Sequence, residues 1–177
     1  MSNVYVCSDL HIGHKNIPRF RCKELGFFRD FKDELEHREW LYSEINKLVS
    51  KRDTLICLGD IAFSEEALDS FHNNVRCVKI LVGGNHDAIL TPMNASKYCK
   101  VYSKIYGLYK RRNVWLSHAP IHPSELRGKV NLYGHTHYAT LDDKRYFYCC
   151  VENMIKVFDR PLALWDDVVS KAEGGDL

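Results

Sequence analysis

Two pairs of potential metal ligands stand two residues apart in this chain, Asp9 with His11 and His135 with His137. Between them in the sequence come Asp60 after Gly59, Asn85-His86-Asp87 after Gly83-Gly84, and His118 after Ser117. Carboxylate, amide-oxygen and imidazole donors, with no thiolate among them, suit Mn, Fe, Zn, Ni or Co. Asp9, His11, Asp60, Asn85, His118, His135 and His137 outnumber the four ligands of a structural zinc site and the three of a catalytic one. They are a sensible supply for two divalent cations about 3.5–4 Å apart and bridged by a carboxylate. Such a pair lowers the pKa of a bound water from 15.7 toward ~7, which makes a hydroxide available for hydrolysis at neutral pH.

Each polar block follows a short apolar run: Val4–Cys7, Thr54–Leu58, Cys77–Val82, Val114–Leu116 and Val130–Tyr133. Such runs read as buried strands, and sites in α/β sheets form just beyond the carboxyl ends of strands. Residues i and i+2 of extended backbone point to one side, so each spaced pair is expected to present both ligands to one centre. Asp30 to Ser50 carries Phe31, Leu35, Leu41, Ile45, Leu48 and Val49 at helical spacing and predicts an amphipathic helix. Ser64 to Asn73 predicts a second, capped by Ser64 with Glu65 and Glu66 in its first turn. Strand and helix therefore alternate through the first half, which implies an α/β core with right-handed crossovers.

The second half reads differently. Val101–Tyr109 and Val114–Leu116 predict a hairpin whose turn holds Lys110-Arg111-Arg112, and Thr140–Val151 predicts strand pairing around Asp142-Asp143-Lys144. Pro161 is expected to open a last helix running to Ala172, with Leu164, Val168 and Val169 on its apolar face. Residues 1–172 then form a single domain and 173–177 a flexible tail.

The bulk properties exclude several classes. The 177 residues carry a net charge of +2, which does not suit binding nucleic acid by charge alone. The cysteine count of seven is odd and no C-x-x-C pair occurs, so neither a disulfide framework nor a zinc knuckle is indicated. Cys7, Cys57 and Cys77 lie inside apolar runs as small buried hydrophobes, and a reducing cytoplasm is the expected location. No apolar run approaches the ~20 residues of a bilayer span, so no membrane partner is expected.

Taken in order, Asp9-Leu10-His11, Gly59-Asp60, Gly84-Asn85-His86-Asp87, His118 and Gly134-His135-Thr136-His137 resemble the D-x-H, G-D, G-N-H-[DE], H and G-H-x-H blocks of the calcineurin-like metallophosphoesterase family. Asp9 to Asn16 also matches the D-x-H-x-G-H-x-N start of its short phage and bacterial members. For a phage protein, the cytoplasm would be the host's. The resemblance implies a four-layer αββα sandwich, two mixed β-sheets face to face with helices outside. It implies that Asp9, His11 and His137 hold one cation, that Asn85, His118 and His135 hold the other, and that Asp60 bridges them. It implies that His86 contacts the phosphate and assists the leaving group, with Asp87 orienting His86. Manganese comes first among the expected metals, with Zn, Fe, Ni and Co as alternatives. The expected substrate is a small phosphate ester, a diester before a monoester or phosphoprotein, with nucleic acid less suited. The competing class is a non-catalytic module of the same fold, of which a retromer subunit is an example, but such scaffolds have lost the catalytic His, and His86 is present.

Other histidines carry blander expectations. His37 and His72 read as surface or satisfied core residues on helices, and His122 as loop packing. His14 divides evenly between substrate contact and loop bracing. Arg19 and Arg21 could steer an anionic substrate, against the simpler reading of a solvated loop.

Overall fold

The computed structural model describes residues 2–17, 21–22, 27–87, 95–139 and 141–174. Strands β1 (Val4–Cys7), β2 (Arg21–Cys22) and β3 (Phe27–Phe28) precede helix α1 (Glu34–Leu48). Then come β4 (Thr54–Cys57), α2 (Glu65–Asn74), β5 (Val78–Val82), α3 (Ala95–Val101) and β6 (Lys104–Tyr106). The remainder is β7 (Tyr109–Arg111), β8 (Val114–Leu116), β9 (Val130–Tyr133), β10 (Tyr146–Tyr148), α4 (Val151–Phe158), β11 (Ala163–Leu164) and α5 (Trp165–Ala172).

Two mixed sheets result. The first has the order β11-β1-β4-β5-β6, parallel except for the β11 edge, and the second has the order β10-β9-β8-β7, parallel except for β7. Period-two alternation explains how the first sheet buries both faces. Tyr5, Cys7, Leu55, Cys57 and Leu81 point to one side and join Leu41 and Ile45 of α1, Leu68 and Phe71 of α2, and Tyr98 and Val101 of α3. Val6, Ile56, Ile80 and Val82 point to the other and meet Val114, Leu116 and Leu132 of the second sheet, together with Trp165 and Val168 of α5. This is the α/β sandwich with its sheets face to face.

Local chemistry sets the helix starts. Asp33 caps α1 by accepting from Glu36 N at 3.0 Å, and Ser64 caps α2 by accepting from Ala67 N at 3.1 Å. The α1 stripe differs from the expected one: Leu35 is 49% exposed, and His37, Leu41, Tyr42 and Ile45 are the buried positions. Capping at Asp33 starts the helix later than periodicity alone suggested, which leaves Leu35 in the first turn, while Leu41, Ile45 and Val49 of the expected stripe are buried.

Three expectations for the second half need correcting. Val101–Tyr109 is not one strand: Val101 ends α3, β6 joins the first sheet beside β5, and only β7 pairs with β8 as a hairpin. Its turn does hold Arg112, at φ 53°. Thr140–Val151 forms no strand pair around Asp142-Asp143-Lys144. Its one strand among the described residues, β10, runs parallel to β9, and Val151 opens α4. Pro161 does not open a helix; β11 intervenes, and α5 begins at Trp165. The chain spends Ala163 and Leu164 completing the edge of the first sheet, pairing with Val6 and Tyr5. Of the tail, Glu173 and Gly174 close the end of α5, and residues 175–177 lie outside the described residues. No helix is long and apolar enough to cross a membrane.

Candidate metal centre

The loops that follow β1, β4, β5, β8 and β9 are laced together by hydrogen bonds. Asp9 N and His11 N donate to Gly59 O and Asp60 O, each at 3.0 Å. Gly134 N donates to His118 O at 2.7 Å, and His135 N donates to Asp9 Oδ2 at 2.9 Å. This lacing tolerates no added side chain at its tightest points. A Cβ on Gly84 would overlap Asp60 N and Oδ1, and one on Gly134 would overlap Ser8 Oγ and Asp9 Oδ2.

The lacing gathers the expected ligands. Donor atoms of Asp9, His11 and Asp60 lie within 4.8 Å of one another, as do those of Asp60, His118 and His135, and those of Asp9, His137 and Cys150. Asn85 joins the second group through Oδ1, 2.9 Å from His118 Nε2. Asp60 belongs to two of these groups, with Oδ2 3.3 Å from His118 Nε2 and Oδ1 accepting from His86 N at 2.8 Å.

Asp9 has one oxygen occupied and one open. Oδ2 accepts from Ser8 Oγ at 2.5 Å, His135 N at 2.9 Å and Cys150 Sγ at 3.3 Å. Oδ1 has no hydrogen-bond partner, though His11 Nε2 and His137 Nε2 stand 3.5 and 3.7 Å away. Both ring nitrogens of His11 are also buried without a partner. Buried polar atoms are ordinarily satisfied. An orphaned carboxylate oxygen facing two imidazoles fits a divalent cation.

The backbone at these loops differs from the extended form inferred from spacing. Asp9, His11, Asp60, His135 and His137 all have positive φ, between 51° and 71°. Non-glycine residues held in this left-handed region cost of order 1–3 kcal/mol each and cluster at functional sites. The paired ligands therefore converge through left-handed turns rather than through one face of a strand.

Electrostatics favour cation uptake. Burial opposes ionisation of Asp9, but the nearby imidazoles of His11, His137 and His118 hold its pKa well below the usual carboxylate range. Burial lowers the pKa of His11 to about 4, leaving a neutral imidazole at neutral pH. Burial also lowers that of His118, yet the hydrogen bond to Asp60 and the charges of Asp9 and Asp60 outweigh it and hold the value at about 9. His118 Nδ1 lies 2.8 Å from Leu58 O and donates to it, so Nε2 carries the proton that a cation must displace. Cation affinity should therefore fall as pH drops below about 9, with uptake at neutral pH releasing a proton. Calorimetric titration with Mn²⁺ in buffers of different ionisation enthalpy measures that release; identical heats in every buffer would contradict it.

His86 lies at the exposed rim beside Asn85. Its ring stacks on Phe63 at 4.6 Å and 26°, and Phe63 also meets the rings of His11 at 4.8 Å and His14 at 4.7 Å. The expectation that Asp87 orients His86 needs revision. The Asp87 carboxylate accepts from Asp60 N at 2.9 Å, Gly84 N at 2.8 Å and Ile61 N at 3.2 Å, clamping two loops together. Packing on Phe63 holds the imidazole instead.

His14 belongs to the same cluster, its ring 5.8 Å from that of His11. Arg21 lies on β2, and Arg19 lies outside the described residues. His37 is fully buried on α1, against Phe31 and Trp40. His72 is exposed, and His122 caps a 3-10 turn by accepting from Ser124 N at 3.3 Å.

Phe63, Cys150, Arg29 and Glu152 also stand at the site, with no motif to announce them. Cys150 places a thiol beside Asp9 and His137. Burial and the nearby Asp9 carboxylate push its pKa up, so it is a neutral thiol donating to Asp9. Arg29 and Glu152 form an ion pair, Nε to Oε1 at 2.8 Å, with both side chains buried. A lone Glu between apolar residues, or a lone Arg after two Phe, has no spacing signature. Only the fold brings them to the site.

A profile of the family described as calcineurin-like phosphoesterase matches residues 2–176. The Gene 66 protein of Mycobacterium phage L5 is 31% identical over 172 residues, covering 77% of this chain and 78% of its own. A crystal structure of a protein of unknown function from Aquifex aeolicus, AQ665, superposes with a TM-score of 0.60 at 21% identity. That likeness covers 88% of this chain and 94% of the other, and extends to the fold.

Proposed function

Because the chain belongs to the calcineurin-like phosphoesterase family, we propose that it hydrolyses a small phosphate ester, a diester in preference to a monoester, at a centre of two divalent cations. Asp9, His11 and His137 would hold one cation, Asn85, His118 and His135 the other, with Asp60 between them. The observation that carries the reading is the buried, partnerless Asp9 Oδ1, facing His11 and His137 while Oδ2 is fixed by three donors. Two cations bound there, manganese first among the candidates, supply neutralisation of phosphoryl charge and an acidified water.

The chain's own residues do the rest. Asp60 Oδ1 is fixed by His86 N, which holds Oδ2 toward His118. The Nδ1 bond to Leu58 O directs His118 Nε2 into the centre. His86, stacked on Phe63 at the rim, can lend a proton to the departing oxygen from the solvent side. His14, edge-on to Phe63, and Arg21 are the candidates for holding substrate, with Arg19 a further one outside the described residues. Exposure of Asn85, His86 and His135 leaves room for ester groups on both sides of phosphorus, which suits a diester.

A panel of phosphomonoesters, diesters and cyclic nucleotides, assayed with Mn, Ni, Zn and Mg, tests the proposal. The expected result is metal-dependent turnover that is faster on diesters. Two bound ions without turnover on any ester would favour a binding module, and faster turnover of monoesters would overturn the diester preference.

A further inference from the structure

We propose that the buried Arg29–Glu152 pair is a positioning device for His137, fixing its tautomer and so the affinity of the Asp9 side of the centre. The inference rests on the two-cation reading above and extends it to residues that touch no substrate.

Glu152 lies in the first turn of α4 with its side chain 1% exposed, and Arg29 follows β3 with its side chain 0% exposed. Arg29 Nε contacts Glu152 Oε1 at 2.8 Å, while its Nη2 donates to Asp9 O at 2.7 Å and its Nη1 to Leu10 O at 3.2 Å. The other carboxylate oxygen, Oε2, stands 3.3 Å from His137 Nδ1. One guanidinium thus grips the backbone of the first ligand loop and, through one carboxylate, the imidazole of the last.

A buried carboxylate paired with arginine is ionised and can only accept, so His137 Nδ1 must be the donor. That leaves the Nε2 lone pair facing Asp9 Oδ1, 3.7 Å away. A carboxylate behind a metal-binding histidine sets its tautomer and raises its basicity, and losing it typically weakens metal binding ~10–100-fold. Among the described residues the pair contacts Asp9, Leu10 and His137 but not Asp60, Asn85, His118 or His135, so the effect should fall on one side of the centre.

Two variants test this. In Glu152→Gln the amide has a single oxygen, which Arg29 claims, so its NH₂ turns to His137 and favours the proton on Nε2. The double variant Arg29→Met, Glu152→Met removes the acceptor without leaving an unpaired buried charge, an exchange that folds often tolerate. Imidazole ¹⁵N spectra of the metal-free proteins report the His137 tautomer, and titration with diamagnetic Zn²⁺, which shifts a ring-nitrogen signal by coordinating it, reports His137 and His118 separately. The expected result is loss of the Nδ1–H tautomer in both variants. The half-point of the His137 shift should need ~10–100 times more Zn²⁺, with that of His118 moved far less. An unchanged His137 tautomer and Zn²⁺ response in both variants would overturn the proposal, as would equal weakening at His118 and His137, the mark of a merely structural role. Absence of a Zn²⁺-induced shift at both rings in the unsubstituted protein would instead overturn the two-cation reading itself, and the inference with it.

Discussion

Asp60→Asn should lose binding of both cations together, weakening each by more than the ~10–100-fold typical of residues behind the ligands, and turnover should disappear with them. The reason is that Asp60 joins the two sides of the centre, standing with Asp9 and His11 in one donor group and with His118 and His135 in another, whereas both groups of Asp9 lie on one side. The substitution keeps shape. Asn can still accept from His86 N at the Oδ1 position, which preserves the loop contact now 2.8 Å long. What it loses is charge, and the group facing His118 Nε2 becomes a donor with no lone pair to give. Elemental analysis and Mn²⁺ titration of the variant measure the loss. Full activity with two metals bound would show that Asp60 is no bridge.

His86→Ala should do the reverse, keeping both cations while lowering kcat by ~10²–10⁴-fold, the usual contribution of a positioned proton donor. His86 offers only its backbone N–H to Asp60, which alanine retains, and its ring rests on the half-buried Phe63 rather than among the converging donors. The deficit should shrink for esters with acidic leaving groups such as nitrophenol, because such groups depart without a proton, and persist for alkyl esters. Equal losses for both ester types would remove leaving-group assistance from His86, and loss of metal would make it a ligand.

The two variants also mark what could be read from residue order. The ligands were legible because each follows a run such as Thr54–Leu58 or Val130–Tyr133, and because Asp9/His11 and His135/His137 keep a fixed spacing. The geometry behind that spacing was not legible: positive φ at five of those positions is a tertiary outcome, imposed by backbone bonds between loops far apart in the chain. Tyr146–Val151 is rich in aromatic and β-branched residues and suggests a continuing strand, yet the chain turns at Cys150 so that α4 can bury Val151, Glu152, Asn153 and Met154. Val101–Tyr109 misleads for a related reason. Its apolar and aromatic residues serve α3, one sheet and then the other in turn, and periodicity cannot mark where a chain changes partners. Asp87 shows a third limit. The family resemblance implied an orienting carboxylate, while its buried position makes it a clamp on three amides.

If these five loops cage a pair of cations, diffraction from crystals grown with Mn²⁺ and recorded at the manganese edge should show two anomalous peaks about 3.5–4 Å apart. One should lie against Asp9, His11 and His137, the other against Asn85, His118 and His135, with Asp60 touching both. A single peak, or peaks away from Asp60, would rule the paired centre out.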